Sequence, residues 1–329
     1  MKRLILFFGL FALLLSQQSC IDGRKSGFDE DGNLYGRISI SGAWAMYPLV
    51  VRWAEEFRKE HPDVRIDISA GGAGKGMADA LGNMVDIAMV SREITAVEQE
   101  RGAWFIAVAK DAVLPTFNTN NPLRDKILTH GLQKMHFQQI FLDGDRQNWE
   151  SFFDVSGDTK MTVYTRSNAC GAAETWAKYL GVSQEDIRGI GMFGDPGLAD
   201  VVKNDRSGVG YNNIAFAYDI NTRKPFENLG IIPIDINESG VIDPEERFYN
   251  DLDQLTEAIS QGRYPSPPAR NLYLVSNGHP ENIAAIVFLH WILEKGQKFV
   301  KEAGYVMIRD EGIAAQKEKL PALPRPKLN

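Results

Sequence analysis

Cysteine is almost missing from this chain: 329 residues contain two, Cys20 and Cys170. Cys20 closes an N-terminal apolar segment, so Cys170 stands alone in the body of the protein and no intramolecular disulfide framework can hold the fold. Stability has to come from a packed core. Histidine is scarce as well. The five present, including His61 and His290, show no metal-ligand spacing, and His61 before Pro62 reads as the end of a helix. No run of Lys or Arg occurs and the net charge is −7, which argues against nucleic acid as a partner, because binding to a phosphate backbone needs a cationic face. Internal repeats and low-complexity segments are absent too. With 44% apolar and 24% charged residues the composition is that of a folded protein rather than a disordered one.

What the chain does have begins at its N-terminus. Lys2 and Arg3 precede the apolar run Leu4 to Leu15, which is too short to span a bilayer as a mature helix and has the length of a signal-peptide core. Export is the expectation. The next residues, SQQSC, resemble a bacterial lipobox ending at Cys20: Ser19 fits, whereas Gln17 and Gln18 stand where the usual pattern has Leu and a small residue. The resemblance implies a signal peptide over residues 1–20 and lipidation at Cys20, with a freely secreted form as the alternative. Residues 21–35, rich in Gly, Asp and Lys, read as a flexible tether.

The length exceeds one ordinary core and suits two lobes of roughly 100 to 150 residues each. Short apolar runs (RISIS, VRIDIS, DIAMVS, FIAVAK) alternate with amphipathic helical stretches (PLVVRWAEEFRKEH, GKGMADALGNM), and the same alternation restarts near KMTVYT and runs to SGVGYNNIAFAYD. Strand-helix alternation implies α/β sheets with parallel strands. A long helical pattern, NIAAIVFLHWILEKGQKFVKEAG, ends the second set, and the charged, Pro-rich tail after it is expected to be loosely ordered. Trp44, Trp53 and Phe57 read as a core face.

Ligands of open α/β sheets bind at the C-terminal ends of strands, where helix N-termini direct their free N–H groups. Three such junctions here carry small residues: SGAWAMYP, SAGGAGKG and RSNACGAA. Their chemistry favours a small oxyanion, and the alternative is that Gly and Ala merely permit tight turns. A nucleotide is excluded at SAGGAGKG, because Ser69 and Gly76 occupy the places where a Walker A loop needs Gly and Ser or Thr. Gly72, Gly74 and Gly76 give GxGxG and not the dinucleotide pattern GxGxxG.

In order, SGAWAMYPLVVRWAEEF, ISAGGAGKGMADALGNMVDIAMVSREI, AVAKDAVLPTFNTNNP, YTRSNACGAAETWAKYL, SGVGYNNIAFAYD and YPSPPARNLYLV resemble the phosphate-binding proteins of bacterial phosphate ABC importers, over roughly Arg37 to Ile308. The resemblance implies a two-lobed α/β periplasmic binding protein fold, type II-like, with two interlobe crossovers near Leu114–Asn118 and Leu229–Pro233. Lobe 1 would comprise residues 36–114 and 233–310, lobe 2 residues 115–232, and the tail residues 311–329. Ligand would be buried between the lobes by hinge closure and presented to permease subunits.

The resemblance also implies which residues hold the anion. Arg166 stands at the family's arginine, Asp86 at the aspartate that accepts the proton of hydrogen phosphate, and Gly171 at the glycine, with Tyr47 and Gly74 beside the pocket. The hydroxyl positions are altered: Ala45 and Met46 replace Ser or Thr in the first motif, Ala73 replaces Ser in the second, and Cys170 and Ala172 replace Ser and Thr in the third. A hydrogen bond to a charged group contributes roughly 1.5 to 3 kcal/mol. Losing three or four of them would cost about 4.5 kcal/mol or more, which is about three decades in affinity. Backbone N–H groups, Lys75, Asn168 and Ser91 are candidates to compensate, and Arg92 is a candidate to orient Asp86.

Two further features carry chemistry. IDINESGVIDPEER sets Asp235, Asn237, Ser239, Asp243 and Glu246 at EF-hand-type positions 1, 3, 5, 9 and 12, with the Val241 carbonyl at position 7, which fits a structural calcium loop. The alternative is an acidic surface turn. Cys170 at a helix N-terminus near Arg166 has the setting of a low-pKa nucleophile, but no partnered base is visible, so an enzyme is not expected. The reading is a monomeric, lipid-anchored solute-binding protein on the periplasmic side of the membrane that captures phosphate or a related protonated oxyanion for an ABC importer; no cofactor is required, and calcium, where the loop binds it, is structural. The alternative is the same fold binding another small anion, or a sensor without transport.

Overall fold

The computed structural model describes residues 26–143 and 147–326. The signal segment, Cys20 and residues 21–25 of the expected tether lie outside the described residues. The rest of that tether is not a tether. Strand β1 (Gly27–Phe28) pairs antiparallel with β2 (Leu34–Gly42), Gly27 opposite Tyr35 and Phe28 opposite Leu34. The turn closes because Asp29 Oδ1 accepts from the amides of Asp31 at 3.0 Å and Asn33 at 2.7 Å, a local arrangement that Asp favours in turns.

The remaining strands are β3 (Val64–Ala70), β4 (Ile87–Val90), β5 (Ala103–Asn118), β6 (Thr162–Arg166), β7 (Ile190–Met192), β8 (Gly208–Asn213), β9 (Leu229–Ile231) and β10 (Ala269–Asn277). In the first lobe β3 and β4 flank β2 in parallel, and β10 lies antiparallel between β4 and β5. In the second lobe the far half of β5 pairs with β8 and β9, and β8 is followed outward by β6 and β7 in parallel. Helices α1 (Tyr47–Glu60) and α2 (Ala73–Leu81) cross between the parallel strands of the first lobe, and α3 (Gly171–Leu180) and α4 (Gly194–Asn204) do so in the second. Leu49, Val50, Trp53 and Phe57 fall on one side of α1 and are buried there, the helical spacing the sequence pattern calls for.

Apolar residues collect into two cores. One holds Ile38, Trp53, Phe57, Ile106, Phe288 and Tyr305; the other holds Phe117, Trp149, Trp176, Tyr211, Leu255 and Tyr264. Strand β5 belongs to the first core up to Ala109 and to the second from Ala112, while β10 returns with Ala269 in the second and Leu272 in the first. The chain therefore crosses twice, as expected, but on adjacent strands at Lys110–Asp111 and Arg270–Asn271. The return comes well after the expected 229–233, because Ile234, Phe248, Tyr249, Leu252, Leu255 and Tyr264 all pack in the second core. Residues 233–264 thus extend lobe 2, not lobe 1.

Helix α5 (Ile283–Trp291) continues through a wider π turn at Ile292–Gly296 into Lys298–Glu302. That turn brings the Gly296 carbonyl to Trp53 Nε1, which donates to it at 2.8 Å. The tail, expected to be loose, is docked: a helix spans Asp310–Lys317, Gln316 Oε1 accepts from the Ala107 amide at 3.1 Å, and Leu320 packs on the first core.

Candidate functional site

The turns that follow the parallel strands of the two lobes face one another. The first lobe contributes the turn Trp44–Met46, the start of α2 at Gly72–Ala73, and Ser91 after β4; the second contributes Arg166 at the end of β6, Asn168, and the starts of α3 and α4. The approach is close. A Cβ added at Gly171 would overlap the Ser91 hydroxyl and carbonyl, and one at Gly72, where φ is 98°, would stand 3.0 Å from the Ala169 carbonyl and 3.1 Å from Asn168 Nδ2. A side chain at either position would hold the lobes apart. Gly194 lies against the Trp44 ring in the same way, its Cβ position 3.5 Å from the indole.

Arg166 is sealed among these turns, its side chain 0% exposed and paired with Asp195 at 2.8 Å. Burial works against its charge, but Asp195 together with Cys170 and Tyr211 outweighs that and holds the guanidinium above its ordinary pKa. Nε and Nη2 donate to Asn168 Oδ1 at 3.3 and 3.2 Å, and the Gly194 amide donates to the same oxygen at 3.4 Å. Asn168 therefore aims the guanidinium. Behind it, Asp195 accepts from Asn213 Nδ2 at 2.6 Å, Asn213 accepts from Arg270, and Arg270 pairs with Asp111 at 3.2 Å. Arg270 also donates to the Gly171 carbonyl and to Thr175 Oγ1, fixing the start of α3 to the crossing strands.

Donors are left over. Among the described residues Trp44 Nε1 and Asn168 Nδ2 are buried without a hydrogen-bond partner, and Arg166 Nη1 meets only the Asp195 carboxylate, at 2.8 Å. Each orphaned buried donor costs about 1–3 kcal/mol, and native structures rarely leave one unmet by water, an ion or a ligand. The three are contiguous: Trp44 abuts Gly194, whose amide meets Asn168, which in turn holds Arg166. Ser91, 2% exposed, adds its hydroxyl opposite Gly171. Donors of this kind suit an acceptor-rich anion.

The site therefore differs from the expected one. Asp86 is not in it. Its carboxylate accepts from the Ser39 amide and hydroxyl at 2.8 and 2.6 Å and from Asn282 Nδ2 at 3.0 Å, at the start of β4, five residues or roughly 16 Å of extended chain before Ser91. There it ties β2 and β4 to the cap of α5. Arg92 does not orient Asp86: it pairs with Glu98 at 2.6 Å and, across the interface, with Glu174 at 3.0 Å. Lys178 and Glu93 form a second interlobe pair at 2.6 Å. Lys75 is engaged by Asp79 on the exposed side of α2.

Ala45, Met46 and Ala73 turn their side chains into the first core, and Ala172 into the second. Tyr47 is half-buried with its ring 6.4 Å from that of Trp44, and Gly74 faces Ala169 across the interface. Trp44, read from the sequence as core, is instead at the site; the signal for it was its place inside the first junction motif. Cys170 caps α3, its Sγ accepting from the Ala173 amide at 3.5 Å. Burial pushes its thiol pKa up, against the pull of Arg166, so the low-pKa nucleophile reading is overturned. The calcium-type loop is closed by its own amides. Asp235 accepts from Ser239 and Gly240, Glu246 from Ile236, Asn237 and Asp243, and among the described residues no three His, Cys, Asp or Glu side chains assemble as metal ligands.

A family model described as a PBP superfamily domain matches residues 29–295. The chain belongs to the PBP superfamily. Curated relatives include the phosphate-binding protein PstS of Methanocaldococcus jannaschii, 24% identical over 90% of this chain and 89% of the relative, and that of Bacillus subtilis, 26% identical over 66% of this chain and 71% of the relative. Among solved structures, a Clostridium perfringens protein with bound phosphate, described as a substrate-binding protein of a phosphate ABC transporter, superposes with a TM-score of 0.68 at 19% identity, covering 83% of this chain and 100% of that one. An ABC-type phosphate transport receptor from Vibrio cholerae gives 0.60 at 20% identity, covering 82% and 100%. These similarities show a shared two-lobed fold.

Proposed function

We propose that this protein is the extracytoplasmic solute-binding component of a phosphate ABC importer, held to the membrane by lipid on Cys20 and enclosing phosphate between its lobes. The observation that carries the reading is the two unpartnered buried donors, Trp44 Nε1 and Asn168 Nδ2, beside the buried Arg166 guanidinium where the two lobes meet. The helix starts at Gly72, Gly171 and Gly194 add amide dipoles there. The names of the PstS relatives support phosphate as the ligand and an ABC importer as the partner. No helix among the described residues is long and apolar enough to cross a membrane.

Calorimetric titration of the protein beginning after Cys20, unfolded and refolded to strip bound ligand, tests the ligand. Micromolar or tighter phosphate binding supports the reading; no binding at millimolar phosphate removes it. Mass spectrometry of the mature N-terminus tests the anchor: a diacylglyceryl mass on Cys20 is expected, and a free N-terminus elsewhere contradicts it.

A further inference from the structure

The unpartnered atoms at the site are nitrogens that can only donate, the Trp44 indole N–H and the Asn168 carboxamide NH2; the Arg166 guanidinium beside them only donates as well, and the Ser91 hydroxyl can turn its proton to an anion. Every carboxylate near them is already engaged. Asp195 is held by Arg166 and Asn213, Asp79 by Lys75 and Ser41, and Glu174 by Arg92. Asp111 has one unpartnered oxygen, but the Arg270 guanidinium stands between it and the start of α3, bonded to both. Asp86 lies at the far end of β4.

We infer that the site holds a tetrahedral oxyanion through donors alone, with Trp44 Nε1 as a direct ligand contact, and so accepts anions that carry no proton. This rests on the interlobe anion site proposed above and narrows its selectivity. A site that reads a ligand's proton needs an acceptor aimed at it, and a carboxylate in that role would repel a fully ionised anion. An indole at this place cannot accept, in contrast to a hydroxyl, which both donates and accepts. Sulfate, with four acceptor oxygens and no proton at neutral pH, then meets the same donors as phosphate. Trp44 also has no structural use for its N–H among the described residues, none of which accepts from it.

The test is calorimetric titration of phosphate and of sulfate into stripped wild-type protein and Trp44→Phe, with thermal melts of both proteins without ligand. Both anions are expected to bind the wild type, sulfate displacing phosphate with an affinity within about tenfold. Trp44→Phe is expected to weaken both by roughly 10- to 100-fold, the range for one hydrogen bond to a charged ligand, and to leave the unliganded melting temperature unchanged or raised, because it deletes an unmet donor. Binding of phosphate with exclusion of sulfate would overturn the donor-only site while leaving the importer reading intact. Sulfate binding without phosphate binding would support the donor-only site and remove the phosphate reading. Equal affinities in wild type and variant would remove Trp44 from the site, and binding of neither anion by the wild type would overturn both proposals.

Discussion

Asp111 and Arg270 stand opposite each other at the level where β5 and β10 pass between the lobes, 3.2 Å apart, with Asp111 fully buried. The two crossings are thus neighbours in one ladder, joined by an ion pair whose arginine also reaches the start of α3. The pair thus sits where both crossings join the lobes.

Burial pushes the Asp111 carboxyl up to about 6, against the pull of Arg270, from an ordinary value near 3.8. The folded protein then holds this proton more tightly than the unfolded chain. The stability it contributes is full below about pH 4 and is lost as pH rises through about 6, a change on the order of 3 kcal/mol. Asp111→Asn cannot ionise and lacks this dependence. Urea unfolding of both proteins from pH 4 to 7 should show the variant gaining on the wild type by that order; a constant difference would contradict the assignment.

Arg166 and Asp195 are buried as a pair, so removing one leaves the other uncompensated. Arg166→Ala should cost about 3–5 kcal/mol in urea unfolding and abolish anion binding. Arg166→Ala combined with Asp195→Asn should recover much of the stability and none of the binding. Recovery of binding in the double variant would show that Arg166 does not touch the ligand.

Gly171 meets Ser91 so closely that a methyl group cannot be accommodated with the lobes in this position. Gly171→Ala should leave each core intact, lower anion affinity at least about tenfold, and enlarge the radius of gyration measured by X-ray scattering with ligand present. An unchanged radius and affinity would mean that the lobes do not close through this contact.

Cys170 is buried, caps α3 and has its thiol pKa raised by burial. A thiol reagent at pH 7 should therefore react with the folded protein far more slowly than with the chain in denaturant. Equal rates would restore the reactive-thiolate reading.

Much of the fold was legible because periodicity records burial. Leu49, Val50, Trp53 and Phe57 mark the inner face of α1, RISIS and VRIDIS mark strands, and IAMV within DIAMVS marks a strand buried on both faces. The return crossing was not legible, since local pattern does not say which of two cores Tyr249 or Leu255 enters. At the site, Arg166 and Gly171 could be read from their place at a strand-to-helix turn. Asp86 misled because its short motif leaves open which end of β4 faces the ligand, and Ser39 and Asn282 take it up at the other end. Trp44 was taken for core because a large aromatic beside a helix usually is; only its unmet N–H against Gly194 shows otherwise. Asp195, Asp111 and Arg270 come from segments far apart in sequence, and only the folded chain joins them.

The central claim is a place: an oxyanion held between the Trp44 indole, Asn168 and the Arg166 guanidinium. Crystals of stripped protein grown with selenate or arsenate, measured at the absorption edge of the heavier atom, locate the anion directly. The account predicts a single strong anomalous peak within hydrogen-bonding reach of Trp44 Nε1, Asn168 Nδ2 and Arg166 Nη1. A peak elsewhere with that ring unoccupied, or no peak at millimolar anion, would contradict it.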